Sequence, residues 1–335
     1  MLVRPSLVAA VVAGVLAFAP QAHAACSYFA ALERDVTQPS QRALITWDPE
    51  TKSESFTVQP VFQGNAEDFG MVIPTPGQPK LKEAPRDIFK DLALYTVLEP
   101  KPCKRPMMKF RNGVPSMAPS MAKKAESTVK VLEAGVVGTL DYKIITAEKA
   151  SDLYEWLQEH KYAFAGDEAT LDFYVKKKWF FTVMKIDPKQ MKRDDSGSYT
   201  GEVSPTRFQF TSAKLVYPLR ITSLSVKDQT EALFYVLTRR KIDLPQSKLE
   251  YAKRLTDADL DKLDKGQVAI PQSSQTKGQS HTHDFKGLKG WLKKGEYLTK
   301  VRRVFRKEEM TDDLELAFAQ NNEEYTSYED CGVPP

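Results

Sequence analysis

Few of the residues from which recognisable catalytic motifs are built occur in this sequence. Its 335 residues include 16 glycines, four histidines and three cysteines. The glycines form neither a Walker A loop nor a G-x-G-x-x-G pattern, and no serine lies in a G-x-S-x-G turn. These absences exclude a nucleotide site or a serine nucleophile carried by a local motif, and no cofactor is expected. Paired Asp and Glu residues that hydrolyse glycosides leave no local spacing, so that alternative stays open.

The chain also has little net charge. Its positive and negative residues are nevertheless unevenly distributed near the C-terminus. The chain has 48 Lys and Arg and 44 Asp and Glu, a net charge of +4 that does not indicate a nucleic-acid partner. Residues 286–307 hold nine Lys or Arg and one acid, whereas residues 308–335 hold nine acids and no Lys or Arg. The basic stretch contains Trp291 and fits contact with anionic lipid headgroups or acidic envelope polymers. The commoner arrangement is that two such runs neutralise each other.

Only the N-terminus contains a long apolar run. A single cation, Arg4, precedes the apolar residues 7–19, and an Ala-His-Ala sequence of the kind that signal peptidase cleaves ends at Ala24. The run is well short of the roughly 20 residues that a membrane-spanning helix needs. We therefore predict a signal peptide over residues 1–24. Residues 25–335 are predicted to form a single exported domain, periplasmic or secreted, with no transmembrane segment.

All three cysteines lie beyond this leader and would meet an oxidising compartment, where disulfides persist. We predict a disulfide between Cys26, near the mature N-terminus, and Cys103. In the chain-entropy model, closing that loop is worth about 4 kcal/mol. Cys331 is then the spare thiol in the C-terminal tail. The alternative bridge between Cys103 and Cys331 stays open, because sequence alone does not determine connectivity.

Apolar periodicity predicts strands mixed with a few helices. Strands are expected at residues 42–47, 54–62, 69–73, 139–146, 179–186, 206–210, 214–223, 232–238 and 297–305. Helices are expected from residue 85, at 147–161 with Thr146 as its cap, at 171–177, and from a capping box at Ser247 toward Gly266. Residues 100–135 are proline-rich and predict an irregular segment, and the polar residues 267–287 predict a loop. The fold class is therefore α+β, a single domain with a large mixed or antiparallel sheet and a few packed helices.

Two imidazoles and a carboxylate fall within four residues, at His281, His283 and Asp284. These side chains are ligand types that zinc and copper accept. A closed structural zinc site needs four ligands held by folded backbone, whereas this cluster lies in the predicted polar loop. A solvated loop is the better interpretation, so no metal site is assigned and the three residues are kept as candidates only.

Four blocks of residues share their pattern with a known family. Residues 63–76 begin with Gln-Gly and end in VIPTP, and residues 142–162 form a strand and a helix with a WL…KY ending. Residues 174–187 contain YV…WFF…KID, and residues 204–220 contain SPTRFQF…PLR. Together these blocks resemble an exported bacterial family known only as domain of unknown function 2330. The resemblance covers nearly the whole mature chain and implies export and one fold unit, but no activity and no catalytic residue.

These observations predict an exported envelope protein that is a non-enzymatic binding or structural component with an unidentified envelope partner. One alternative is a periplasmic hydrolase with scattered Asp and Glu residues, or with a pair such as Cys103 and a histidine. A second alternative is a metal-handling protein, which depends on His281 and His283.

Overall fold

The computed structural model describes residues 28–31, 40–59, 69–96, 99–100, 128–138, 140–160, 162, 168–186, 192–193, 199–200, 204–266, 268–269, 282–326 and 328–329. Thirteen strands in these ranges build two sheets: β1 (Tyr28–Ala31), β2 (Ser40–Asp48), β3 (Ser53–Val58), β4 (Phe69–Thr75), β5 (Lys80–Glu83), β6 (Lys130–Val137), β7 (Leu140–Thr146), β8 (Phe180–Ile186), β9 (Thr206–Thr211), β10 (Gln229–Thr238), β11 (Lys248–Arg254), β12 (Tyr297–Arg306) and β13 (Tyr325–Thr326). The α-helices are α1 (Ile88–Tyr95), α2 (Ala150–Glu159), α3 (Glu168–Lys176) and α4 (Asp257–Asp264).

Shorter elements connect these strands and helices. Two-residue strands pair Glu99–Pro100 with Tyr328–Glu329, Lys192–Arg193 with Tyr199–Thr200, Val216–Tyr217 with Leu314–Glu315, Ile242–Asp243 with Ala317–Phe318, and Val268–Ala269 with Thr282–His283. Turns of 3₁₀ helix lie at Arg220–Ser225, Lys286–Leu288 and Lys307–Glu309.

The two sheets differ in size and in strand direction. The smaller sheet has five antiparallel strands in the order β1-β4-β8-β7-β6. The larger sheet has eight strands in the order β13-β11-β12-β10-β2-β3-β9-β5. Its strands are antiparallel except for the parallel neighbours β10 and β2, so the sheet is mixed. This architecture confirms the predicted α+β fold class.

The sheets pack face to face, and helices cover their outer faces. Met71, Ile73 and Met184 of the smaller sheet meet Phe56, Phe208 and Phe234 of the larger one in a single core. Helices α2 and α3 cover the other face of the smaller sheet, and α1, α4 and the turn at Lys286–Leu288 cover the other face of the larger sheet. The result is four layers in the order helix, sheet, sheet, helix.

Continuous apolar strands suit this arrangement because both of their faces are buried. In β10, Phe234 and Val236 point into the core between the sheets, whereas Tyr235 and Leu237 point toward α1. Strand β8 is central in the smaller sheet, as its apolar sequence predicts. None of the helices in the described ranges has the length and hydropathy needed to cross a bilayer.

Several local predictions are wrong. The predicted helix from Ser247 is strand β11, because this segment pairs along β12 and buries Tyr251 and Ala252. Helix α4 instead begins after Thr256, which takes part in a capping box with Asp259. Sequence propensity at this place is overridden by sheet pairing.

Other boundaries also differ from the predictions. Residues 214–223 contain only the strand Val216–Tyr217 before a 3₁₀ turn, because a proline follows at once and cannot donate to a ladder. Thr146 does not cap α2, whose N-cap is Lys149. The end of the segment predicted to be irregular, residues 130–135, belongs to β6, which pairs with β7. Most of the predicted polar loop, residues 270–281, lies outside the described residues.

Candidate functional site

A cleft of about 560 Å³ opens on the outer face of the larger sheet, beside the edge formed by β5 and β9. Three distant parts of the chain line it: residues 82–86, Arg207 and residues 289–291. The first part runs from the end of β5 toward α1, and the last follows the 3₁₀ turn that packs on α1. The cleft therefore lies where the helical layer stops short of the sheet edge.

Strand alternation explains why cations face this cleft. Leu81 and Phe208 belong to the core between the sheets, so their neighbours Lys82 and Arg207 project from the opposite face. Lys82 and Arg207 are also direct cross-strand partners. Like charges in that position repel each other and destabilise a sheet. Strand pairing alone gives no reason for this pair of cations.

The Arg207 side chain is held in one orientation. Its Nε donates a hydrogen bond of 2.9 Å to Ser55 Oγ on β3. Its guanidinium carbon lies 5.2 Å from the ring centroid of Trp291, which is within the range of a cation–π contact. The side chain is half-buried, and desolvation lowers the pKa of the guanidinium, which still carries its charge at physiological pH.

Four cations line the cleft, and one of them, Lys289, pairs with Asp284 at 3.7 Å. Lys82, Arg86 and Arg207 form no ion pair with any carboxylate in the described ranges. Glu83 also lines the cleft, but it alternates with Lys82 along β5, and its Oε1 lies against Gly138 at the end of β6. Lys82, Arg86 and Arg207 thus share a concave surface, and no carboxylate of the described residues pairs with them.

A buried carboxylate on α1 accepts hydrogen bonds from the segment that precedes residues 289–291. Asp91 of α1 is 1% exposed and accepts hydrogen bonds from the backbone N–H of Gly287 at 2.7 Å and from His283 Nε2 at 2.8 Å. A Cβ on Gly287 would lie 2.8 Å from Asp91 Oδ2 and 2.9 Å from the backbone nitrogen of Ile88. Only glycine allows the turn to approach the helix this closely. The contact between Gly287 and α1 therefore positions residues 289–291, which follow the turn and line the cleft.

The metal candidates predicted from the sequence are engaged in other contacts. His283 pairs with Asp91, and Asp284 forms ion pairs with Lys286 at 3.3 Å and Lys289 at 3.7 Å. His281 lies outside the described residues, as do Cys26, Cys103 and Cys331. Within the described positions, no three His, Cys, Asp or Glu side chains come together as a metal site would require.

The basic stretch at 286–307 is divided between the interior and the surface. Lys300 and Arg302 pair with Glu250, which is buried on neighbouring strand β11. Arg303 and Arg306 contact Glu309 at the start of the acidic tail, at 3.8 and 3.4 Å. Other tail acids pair elsewhere: Asp312 and Asp313 with Lys177, and Glu315 with Lys214. Among the residues that the structure describes, the ion pairs between the two runs therefore lie at their junction.

Sequence reasoning identified the basic stretch that contributes residues 289–291 but missed the other two parts of the cleft. Arg207 lies within the SPTRFQF block that supports the family resemblance, and this block was the one available signal for it. Lys82 and Arg86 carry no local motif. Their convergence with Arg207 depends on the order of strands in the sheet.

Comparison with known proteins identifies the family of this chain. No curated protein matches the chain. Among solved structures, the chain is similar to the crystal structure of baculovirus P35, with 11% identity, a TM-score of 0.31, and coverage of 89% of this chain and 98% of that chain. A score this low carries no argument about function. A bacterial family model matches residues 20–317, so the chain belongs to the family described as an uncharacterized protein conserved in bacteria, DUF2330.

Proposed function

We propose that this chain is an exported binding protein that holds an anionic ligand in the basic cleft. The observation that carries the proposal is the set of three cations, Lys82, Arg86 and Arg207, without a described counter-ion. Cations gathered in a concave site focus the electric field and raise the local concentration of anions. A bound anion would also offset the cost of half-burying Arg207 and the repulsion between Arg207 and Lys82.

The contents of the cleft favour binding over hydrolysis. Glycoside hydrolysis uses two carboxylates that face the same bond. In the described part of the cleft, Glu83 is the one carboxylate among the lining residues, and it is directed toward Gly138. His283 is not among the lining residues, and its Nε2 is bonded to Asp91.

The ligand class that we propose is an acidic polymer of the cell envelope. The cleft is concave, with Trp291 beside the cations, and a combination of an aromatic side chain with a few polar groups is typical of ligand pockets. A bilayer surface is flat and would meet only the rim of a concave site. Export would place the protein among such polymers.

Export itself rests on the predicted signal peptide of residues 1–24. N-terminal sequencing of the protein recovered from the envelope fraction should begin at Ala25, directly after the Ala-His-Ala sequence. Full-length protein confined to the cytosol would contradict this part of the proposal.

The binding proposal is tested with a charge-matched pair of variants. The cleft variant carries Lys82→Gln, Arg86→Gln and Arg207→Gln. The control carries Lys178→Gln, Lys248→Gln and Lys262→Gln, which removes the same charge from exposed positions elsewhere. Oligogalacturonate, an acidic glycan, is titrated into each protein at low ionic strength by calorimetry.

We expect the cleft variant to lose binding at least tenfold relative to the wild type, because close charge pairs in a partly desolvated site are screened less than exposed ones. The control variant should lose no more than about threefold. Equal losses in the two variants would show that net charge, and not the cleft, attracts the polymer. Tighter binding to vesicles of anionic lipid than to oligogalacturonate would favour a membrane surface instead.

A further inference from the structure

We infer that Arg207 donates hydrogen bonds from its two terminal nitrogens to two oxygens of one carboxylate or phosphate group of the ligand. This inference rests on the proposed anion-binding function and adds the chemistry by which the cleft selects its ligand. It assigns directional recognition to Arg207 and leaves Lys82 and Arg86 as general sources of positive charge.

Arg207 already makes one hydrogen bond, and this bond occupies one edge of its guanidinium group. A guanidinium group presents five N–H donors in a planar fork and binds carboxylates by either of two edges. The edge that includes Nε is occupied, because Nε donates to Ser55 Oγ at 2.9 Å. The edge formed by Nη1 and Nη2 is therefore the one that remains for a ligand.

The guanidinium group of Arg207 is also restrained by Trp291. The guanidinium carbon lies over the ring of Trp291, 5.2 Å from the ring centroid. Trp291 in turn packs against the core cluster beneath α1. A side chain that is held by a hydrogen bond at Nε and by contact with an aromatic ring loses little further conformational freedom when a ligand binds. Arg207 is thus preorganised for a planar, two-point contact.

The described residues offer no acceptor that competes for the free edge of Arg207. No carboxylate among the residues that the structure describes takes the free edge of Arg207. The cross-strand neighbour Lys82 has no acceptor to offer, and the lining acid Glu83 is directed toward Gly138. An oxyanion with two oxygens at one centre fits this edge, whereas a chloride ion makes one-point contacts only.

Two kinds of ligand carry this chemistry. A hexuronate presents a planar carboxylate, and a phosphate monoester presents a tetrahedral group of oxygens. Both accept two parallel N–H bonds from arginine, so the recognition is shared between them. Galacturonate and inorganic phosphate serve as the two probes.

The test measures the affinity of the full mature chain for each probe at constant ionic strength. Arg207→Lys keeps the charge and removes the two-point fork, and Arg254→Lys is the matched control, because Arg254 is exposed and does not line the cleft. We expect Arg207→Lys to weaken the preferred probe about tenfold and Arg254→Lys to change the affinity less than about twofold. A larger loss for galacturonate than for phosphate identifies a carboxylate ligand, and the reverse identifies a phosphate.

A second measurement is made on the unmodified protein, so that a misfolded variant does not decide the result. In ¹⁵N-arginine-labelled protein, the Nη protons of Arg207 should give separate signals when the probe binds, because binding slows the rotation of the Nη groups. Binding with equal affinity in Arg207→Lys, or with freely rotating Nη groups, would overturn the inference and leave the anion-binding function intact. Failure of the wild type to bind either probe or oligogalacturonate would overturn both.

Discussion

Replacement of Asp91 by alanine tests the junction that flanks the cleft. The Asp91 carboxylate is 1% exposed and accepts two hydrogen bonds, from the Gly287 N–H and from His283 Nε2. In Asp91→Ala the buried Gly287 N–H loses its acceptor, which costs about 1 to 3 kcal/mol. The lost bond to the partly exposed His283 adds about 1 kcal/mol. We expect the free energy of unfolding to fall by about 3 kcal/mol in total.

Asp91→Asn is the matched control. An asparagine at this position keeps an oxygen that can accept from Gly287 but loses the negative charge beside His283. We expect it to lower the free energy of unfolding by about 1 kcal/mol. Gly287→Ala tests the same contact from the other side, because its Cβ would lie within 3.0 Å of Asp91, Ile88 and Asp87.

Urea denaturation measures these changes, and amide hydrogen exchange locates them. The Gly287 amide should exchange slowly in the wild type and much faster in Asp91→Ala. If Asp91→Ala unfolds within about 0.5 kcal/mol of the wild type while its Gly287 amide stays protected, the junction is not held by Asp91, and the reasoning about this side of the cleft is wrong.

Three further predictions concern buried charge and the cysteines. Burial raises the pKa of Glu54 well above its ordinary value of 4.5, so its contribution to stability is present below that value and is lost as pH rises through the folded-state pKa. Glu54→Gln, which stays neutral, should therefore gain stability relative to the wild type with rising pH, and a pH-independent difference in urea denaturation would contradict this. Glu250→Gln should lower the free energy of unfolding by about 3 kcal/mol, because it leaves the buried Lys300 without its carboxylate, and a loss below about 1 kcal/mol would contradict that. Non-reducing peptide mapping of exported protein should recover Cys26 linked to Cys103, and a Cys103–Cys331 peptide or three free thiols would show that pairing to be wrong.

The predictable part of the fold is the part in which local pattern and tertiary environment agree. The apolar segments that became β8 and β10 have both faces covered, so their sequences alone indicate buried strands. The segment Lys248–Arg254 is the opposite case. Its capping-box spacing and charged residues favour a helix, but pairing with β12 makes it a strand. No local pattern contains the information that β12 lies beside it.

The cleft shows the same limit for function. The alternation of Arg207 with Phe208 predicts that Arg207 faces away from the core. Its hydrogen-bond partner Ser55 is 152 residues away along the chain, and Trp291 comes from a third segment. The strand order β3-β9-β5 and the docking of the turn at Lys286–Leu288 bring these residues together. Charge composition pointed to the basic stretch, yet Arg207, the cleft cation that bonds to Ser55 and contacts Trp291, comes from another strand.

The most direct test of the central claim, that this cleft is the ligand site, is the indole N–H signal of Trp291. The chain has four tryptophans, and the other three, Trp47, Trp156 and Trp179, do not line the cleft. In a ¹H–¹⁵N spectrum assigned with Trp291→Phe, titration with galacturonate or inorganic phosphate should shift the Trp291 signal in a saturable way and leave the other three in place. A saturable shift of any of the other three with Trp291 unmoved, or no shift under conditions where calorimetry detects binding, would contradict the account.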